Sequence, residues 1–148
     1  MRVIAVVQAR MGSSRLPGKV LLDLDGLPVL GWVLRALEAA RGVDAIVVAT
    51  STLPGDDPIE RYAAEVGVSC VRGSEDDVLA RFAMALECHP ADAVVRLTAD
   101  CPLLDPALID QVVSRLAGRS VLGLRRDDTP SHPAPRPRCR AGVCSRPA

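Results

Sequence analysis

Four short runs of β-branched and small apolar residues recur along the chain, each followed by a stretch whose apolar residues repeat with helical spacing. Val3-Ile4-Ala5-Val6-Val7, Ala45-Ile46-Val47-Val48-Ala49, Val68-Ser69-Cys70-Val71 and Ala93-Val94-Val95-Arg96-Leu97 are the runs. Such runs carry no polar alternation, so they read as strands buried on both faces. Between them, Val29, Leu30, Val33, Leu34 and Leu37 mark one helix, with Pro28 suited to its first turn. A second is expected from Asp57 to Val66, ending at Gly67. Ser74 is placed as the cap of a third, with Asp77 three residues on and Val78, Leu79, Phe82, Ala83 and Leu86 as its buried stripe. Asp105-Pro106 opens a fourth, with Ile109, Val112, Val113 and Leu116 facing inward. Alternation of this kind predicts an α/β fold: a Rossmann-like, open, mainly parallel sheet with helices on both faces, binding ligands at the carboxyl ends of its strands.

The pattern stops at Gly118. Of 148 residues, the first 118 hold ten Arg and Lys19 against 16 carboxylates, whereas residues 119–148 hold seven Arg and five Pro against Asp127 and Asp128. The formal charge of zero is therefore the sum of an acidic part and a basic part. We expect residues 1–118 to form a nucleotide-binding α/β domain, and residues 119–148 to be a disordered basic Pro/Arg-rich tail that cannot bury enough apolar surface to offset its ordering entropy. No apolar run is long enough to span a bilayer, and the N-terminus enters a strand without a cleavage site, so a cytoplasmic protein without a membrane partner is expected. Zero net charge argues against a nucleic-acid partner. Five cysteines at irregular spacings fit no disulfide framework, and Cys139 and Cys144 with His132 match no standard zinc spacing.

The loop after the first run holds the chemistry. Gln8-Ala9-Arg10-Met11-Gly12-Ser13-Ser14-Arg15-Leu16-Pro17-Gly18-Lys19 gathers small residues, hydroxyls and three cations at a strand end, and Lys19 is the one lysine of the chain. Main-chain amides near glycines and fixed cations suit a polyphosphate. The loop is not a Walker A motif, since five residues separate Gly12 from Gly18 and Val20 follows Lys19; nor is it a dinucleotide fingerprint, since no Gly-x-Gly-x-x-Gly occurs. Asp100, at the end of the fourth run, has the character of a magnesium ligand, because that ion prefers carboxylate and phosphate oxygens.

Ala9-Arg10 through Leu16-Pro17-Gly18-Lys19, Ala49-Thr50-Ser51, Arg72-Gly73-Ser74-Glu75-Asp76-Asp77-Val78-Leu79-Ala80-Arg81-Phe82 and Leu97-Thr98-Ala99-Asp100-Cys101-Pro102-Leu103 resemble the sugar-activating cytidylyltransferases. That family includes the acylneuraminate and 3-deoxy-manno-octulosonate enzymes, and the similarity is greatest to the branch of spore coat polysaccharide biosynthesis protein F. It covers about residues 1–117. The resemblance implies transfer of a cytidylyl group from CTP to a sugar or acid sugar, with release of pyrophosphate, for surface polysaccharide synthesis. It implies Arg10 and Lys19 as catalytic groups and Ala9, Arg10, Gly12, Ser13, Arg15, Lys19, Arg72 and Asp77 as nucleotide contacts. Asp100 would bind the Mg2+ cofactor, and a homodimer is compatible with the family pattern. Asp77 is equally a sufficient helix cap, and a relative using another nucleotide stays open. Family members continue for a further segment that supplies the sugar pocket and a second metal carboxylate. None of it is recognisable in residues 119–148, so a truncated nucleotide-binding fragment without turnover is the alternative expectation.

Overall fold

The computed structural model describes residues 1–117 and the segments 138–140 and 143–145. Strand β1 (Val3–Gln8) lies at the heart of the sheet, paired in parallel with β4 (Ala45–Ser51) on one side and β6 (Ala93–Thr98) on the other. Strand β5 (Ser69–Gly73) pairs in parallel with the far edge of β4, giving the order β6-β1-β4-β5. These four strands are the four apolar runs, extended by a residue or two at their carboxyl ends.

Alternation along β1 decides which side chain enters which layer. Val3, Ala5 and Val7 join the core beneath α1 (Val29–Ala39), α2 (Asp57–Glu65) and α4 (Pro106–Ala117), where Leu30, Leu34, Leu37, Ile59, Ile109 and Val113 are buried. Ile4 and Val6 face the opposite layer, where α3 (Val78–Cys88) contributes Ala85 with Phe82 and Leu86 packed against it. Right-handed crossovers require this arrangement, because the chain moves one way from β1 to β4 to β5 and must then cross back over the other face to reach β6.

Several local expectations are corrected. Asp77, not Ser74, is the N-cap residue of α3: its carboxylate accepts from the Ala80 amide at 2.8 Å, while Ser74 Oγ accepts from Asp77 N at 3.3 Å. The buried residues of α3 are Arg81, Met84 and Ala85, and Leu79 is 80% exposed, so the inward stripe is rotated from the expected one. Pro28 ends the short strand β3 (Leu27–Pro28) and precedes α1 instead of opening it. Strand β3 pairs antiparallel with β2 (Asp23–Leu24). The turn between them is Asp25-Gly26, both with positive φ (54° and 86°), the conformation that a two-residue Asp-Gly hairpin requires.

Most of the expected tail lies outside the described residues. The segments that are described form β7 (Arg138–Arg140) and β8 (Val143–Ser145), antiparallel to each other, with β8 parallel to β5. No strand was read from the sequence there. Cys88, at the end of α3, is disulfide-bonded, which the irregular cysteine spacing did not indicate. Among the described residues, no helix is long and apolar enough to cross a membrane.

Candidate functional site

Register sets the site. Gln8, the last residue of β1, pairs with Ala49 on one side and Thr98 on the other, so the chains leaving β1 and β6 depart at one level. Backbone bonds extend the match beyond the strands: Ala9 N donates to Ala49 O and Ala99 N to Gln8 O, each at 3.0 Å. Strand order reverses between β1 and β6, and in open α/β sheets the ligand crevice lies at such a switch point, outside the carboxyl ends of the strands. A cleft of about 400 Å³ opens there. Its walls come from the β1 loop (Arg10, Gly12, Ser13, Lys19) and from the end of β6 (Thr98, Asp100).

The loop folds back through Gly18. Its amide donates to Met11 O at 2.8 Å, and its φ of +72° starts the 3-10 turn Lys19–Leu21. That turn delivers Lys19 across the cleft, where Nζ reaches Asp100 Oδ2 at 2.7 Å. The Lys19 hydrogen bond, helped by one from Thr98, holds the Asp100 carboxyl below its ordinary range. Arg10 is exposed at the mouth. Arg96 lies over the Phe82 ring and donates from Nη2 to Gln8 Oε1 at 3.2 Å. Three cations against one carboxylate give the lining an anion preference.

Not every expected residue converges. Arg10, Gly12, Ser13, Lys19 and Asp100 line the cleft. Ala9 does not, since its side chain is buried in the core and its amide is taken by Ala49. Arg15 is exposed on the loop and lies outside the lining. Arg72 is held elsewhere: Nε donates to Ser51 O at 2.8 Å and Nη2 to Leu53 O at 2.9 Å, while Nη1 and Nη2 pair with Glu60 at 2.5 Å and Asp57 at 2.7 Å. That set binds β5 to the β4–α2 connection. Asp77 is committed to capping α3. Gln8, Val20, Val78, Arg96, Thr98 and Ala99 complete the lining and were not among the expected site residues. The signal for Gln8, Arg96 and Thr98 was present as the even positions at the ends of β1 and β6, which project from one face of the sheet.

A cytidylyltransferase sequence profile matches residues 4–126, most of the chain. The chain belongs to the cytidylyltransferase family. It is 43% identical over 118 residues to the 3-deoxy-manno-octulosonate cytidylyltransferase of Chromohalobacter salexigens, covering 78% of this chain and 45% of that protein. To the spore coat polysaccharide biosynthesis protein SpsF of Bacillus subtilis it is 36% identical over 115 residues, or 75% and 48% of the two chains. A solved CMP:2-keto-3-deoxy-manno-octonic acid synthetase complexed with CTP superposes with a TM-score of 0.73 at 27% identity, covering 82% of this chain and 50% of that one. The chain thus spans about half the length of the relatives it matches.

This family member presents a single cleft carboxylate, and among the described residues no group of three or more His, Cys, Asp or Glu side chains is placed to hold a metal ion. Magnesium is characteristically held by one or two carboxylates together with substrate phosphates. The donor set therefore fits that ion as a composite site with a bound polyphosphate and not as a protein-only cage.

Proposed function

We propose that this chain binds CTP in the β1–β6 cleft and serves a cytidylyl transfer to a sugar or acid sugar, releasing pyrophosphate, in surface polysaccharide synthesis. The observation that carries the reading is the meeting of Lys19, Arg10 and the amide-rich Gly12–Ser13 segment with Asp100 at the switch point of the sheet. The relative solved with CTP and the sugar-acid cytidylyltransferase named above supply the nucleotide and the acceptor class.

In this reading an acceptor hydroxyl attacks the α-phosphorus in line, the new phosphate ester forms as the bond to the bridging oxygen breaks, pyrophosphate leaves, and the hydroxyl proton passes to water. The protein contributes position and charge. Arg10 and Lys19 stabilise the negative charge gathering on the departing pyrophosphate, and amides of the Gly12 loop orient the phosphates. Asp100 and the nucleotide phosphates would hold magnesium together, and the ion when bound supplies charge neutralisation at the phosphoryl oxygens. Lys19 must then exchange part of its contact with Asp100 for phosphate.

Calorimetry with each of the four ribonucleoside triphosphates and magnesium tests the binding step. CTP is expected to bind most tightly, and Lys19→Ala to abolish most of that affinity; equal binding by the variant overturns the reading. Because the match extends over only half of each relative, nucleotide binding without turnover is a second reading. Pyrophosphate release with acid sugars present separates the two.

A further inference from the structure

We propose that Asp56 is the positioning residue of the phosphate-facing loop, its buried carboxylate fixing the Met11 amide and thereby the directions in which Arg10 and Gly12 enter the cleft. The inference rests on reading that cleft as a triphosphate site.

Asp56 is the last residue of the 3-10 turn Pro54–Asp56 after β4, and at 4% exposure it is outside the cleft lining. Its Oδ1 accepts from Met11 N at 2.7 Å, a contact across 45 positions. Its Oδ2 accepts from Ser51 N at 3.3 Å and from Ser51 Oγ, which itself accepts from Leu53 N at 3.2 Å. One oxygen thus grips the carboxyl end of β4 while the other reaches into the loop.

Met11 is where the loop is tied. The same residue that donates to Asp56 accepts from Gly18 N at 2.8 Å, so the segment Gly12–Pro17 closes onto a residue whose amide is held from the connection after β4. Among the described residues, the one hydrogen bond made wholly within that segment is Leu16 N donating to Ser13 Oγ at 3.4 Å, a long contact, and Leu16 O accepts from Lys19 N at 3.3 Å at its end. Burying a carboxylate is costly unless donors surround it, and a charge-assisted bond orients an amide more firmly than a neutral one. Burial pushes the pKa of the Arg81 guanidinium, which donates to Ser74 O and Glu75 O, below its ordinary value, and the Asp56 charge acts against that shift.

Asp56→Asn in the full 148-residue chain is the test, since an amide keeps the shape but leaves either Met11 N–H or Ser51 N–H facing another donor. Calorimetry is expected to read CTP binding weakened about tenfold, as for loss of one hydrogen bond to a charged group, with CMP weakened distinctly less because it offers the loop one phosphate. CTP binding unchanged from wild type, or CTP and CMP weakened equally, overturns the proposal. If the variant does not fold, hydrogen exchange on the wild type decides. The Met11 amide should exchange at least about tenfold more slowly than Gly12, and equal rates overturn the assignment. Should the wild type bind no CTP, the functional reading fails, while the exchange rates still decide whether Asp56 orders the loop.

Discussion

Lys19 Nζ lies 2.7 Å from Asp100 Oδ2, joining the one lysine of the chain to the carboxylate at the end of β6 across 81 positions. Both side chains keep more than a third of their surface in solvent, 36% and 39%. Solvent screening leaves such a pair about 0–1 kcal/mol of stability. Its interest is positional, because it holds a cation and a carboxylate at the ligand cleft.

Lys19→Ala should therefore shift the denaturation midpoint little, by no more than about 1 kcal/mol in chemical unfolding, while weakening CTP binding tenfold or more. Parallel urea titration and calorimetry of the variant read the two effects. A large stability loss would assign Lys19 to the fold instead.

Gly18→Ala tests the backbone of the loop. At φ +72° an L side chain is strained, and a Cβ there meets Met11 Cε at 3.3 Å. The expected cost is about 1–2 kcal/mol of folding stability, measured by urea denaturation, accompanied by weaker CTP binding because Lys19 is the next residue.

Arg72→Ala should behave in the opposite sense. With Ser51 O, Leu53 O, Asp57 and Glu60 all drawing on its guanidinium, its removal strands acceptors and is expected to cost about 2–4 kcal/mol. CTP affinity of the folded fraction should stay near wild type. Calorimetry at low temperature, where the variant remains folded, checks it.

Cysteine chemistry gives a pH-dependent prediction. Burial pushes the Cys70 thiol up from its usual 9.0 to about 12, whereas Cys101 is exposed. Iodoacetamide at pH 8 should alkylate Cys101 and spare Cys70 in the native protein, as peptide mass spectrometry will show. A raised folded-state pKa means that the neutral thiol's contribution to stability is complete below pH 9.0 and is lost as pH climbs toward 12, so denaturation midpoints should fall across that window.

The sheet was legible because β1, β4 and β5 are apolar on both faces, and the edge strand β6, though half-buried with Arg96 and Thr98 exposed, is still marked by a β-branched run. Val3–Gln8, Ala45–Ser51, Ser69–Gly73 and Ala93–Thr98 differ from the expected runs only at their ends. The α3 stripe was misread since Arg81 sits in the core, where its charge is met by the Ser74 and Glu75 carbonyls, and no hydropathy pattern assigns an arginine to a buried face. The resemblance implied Arg72 as a nucleotide contact; in the fold its guanidinium pairs with Asp57 and Glu60, from the first turn of α2.

By itself the sequence determined the strand–helix alternation, the small-residue loop with its lone lysine, and the strand-end aspartate, since these depend on local pattern and residue chemistry. Tertiary structure decided which of those groups meet. Lys19 and Asp100 become neighbours only because β6 returns to the side of β1 opposite β4 and pairs Gln8 with Thr98. Asp56 reaches Met11 only because β4 flanks β1 on the other side. Strand order and register are set by long-range packing and crossover handedness, which no local window of residues contains.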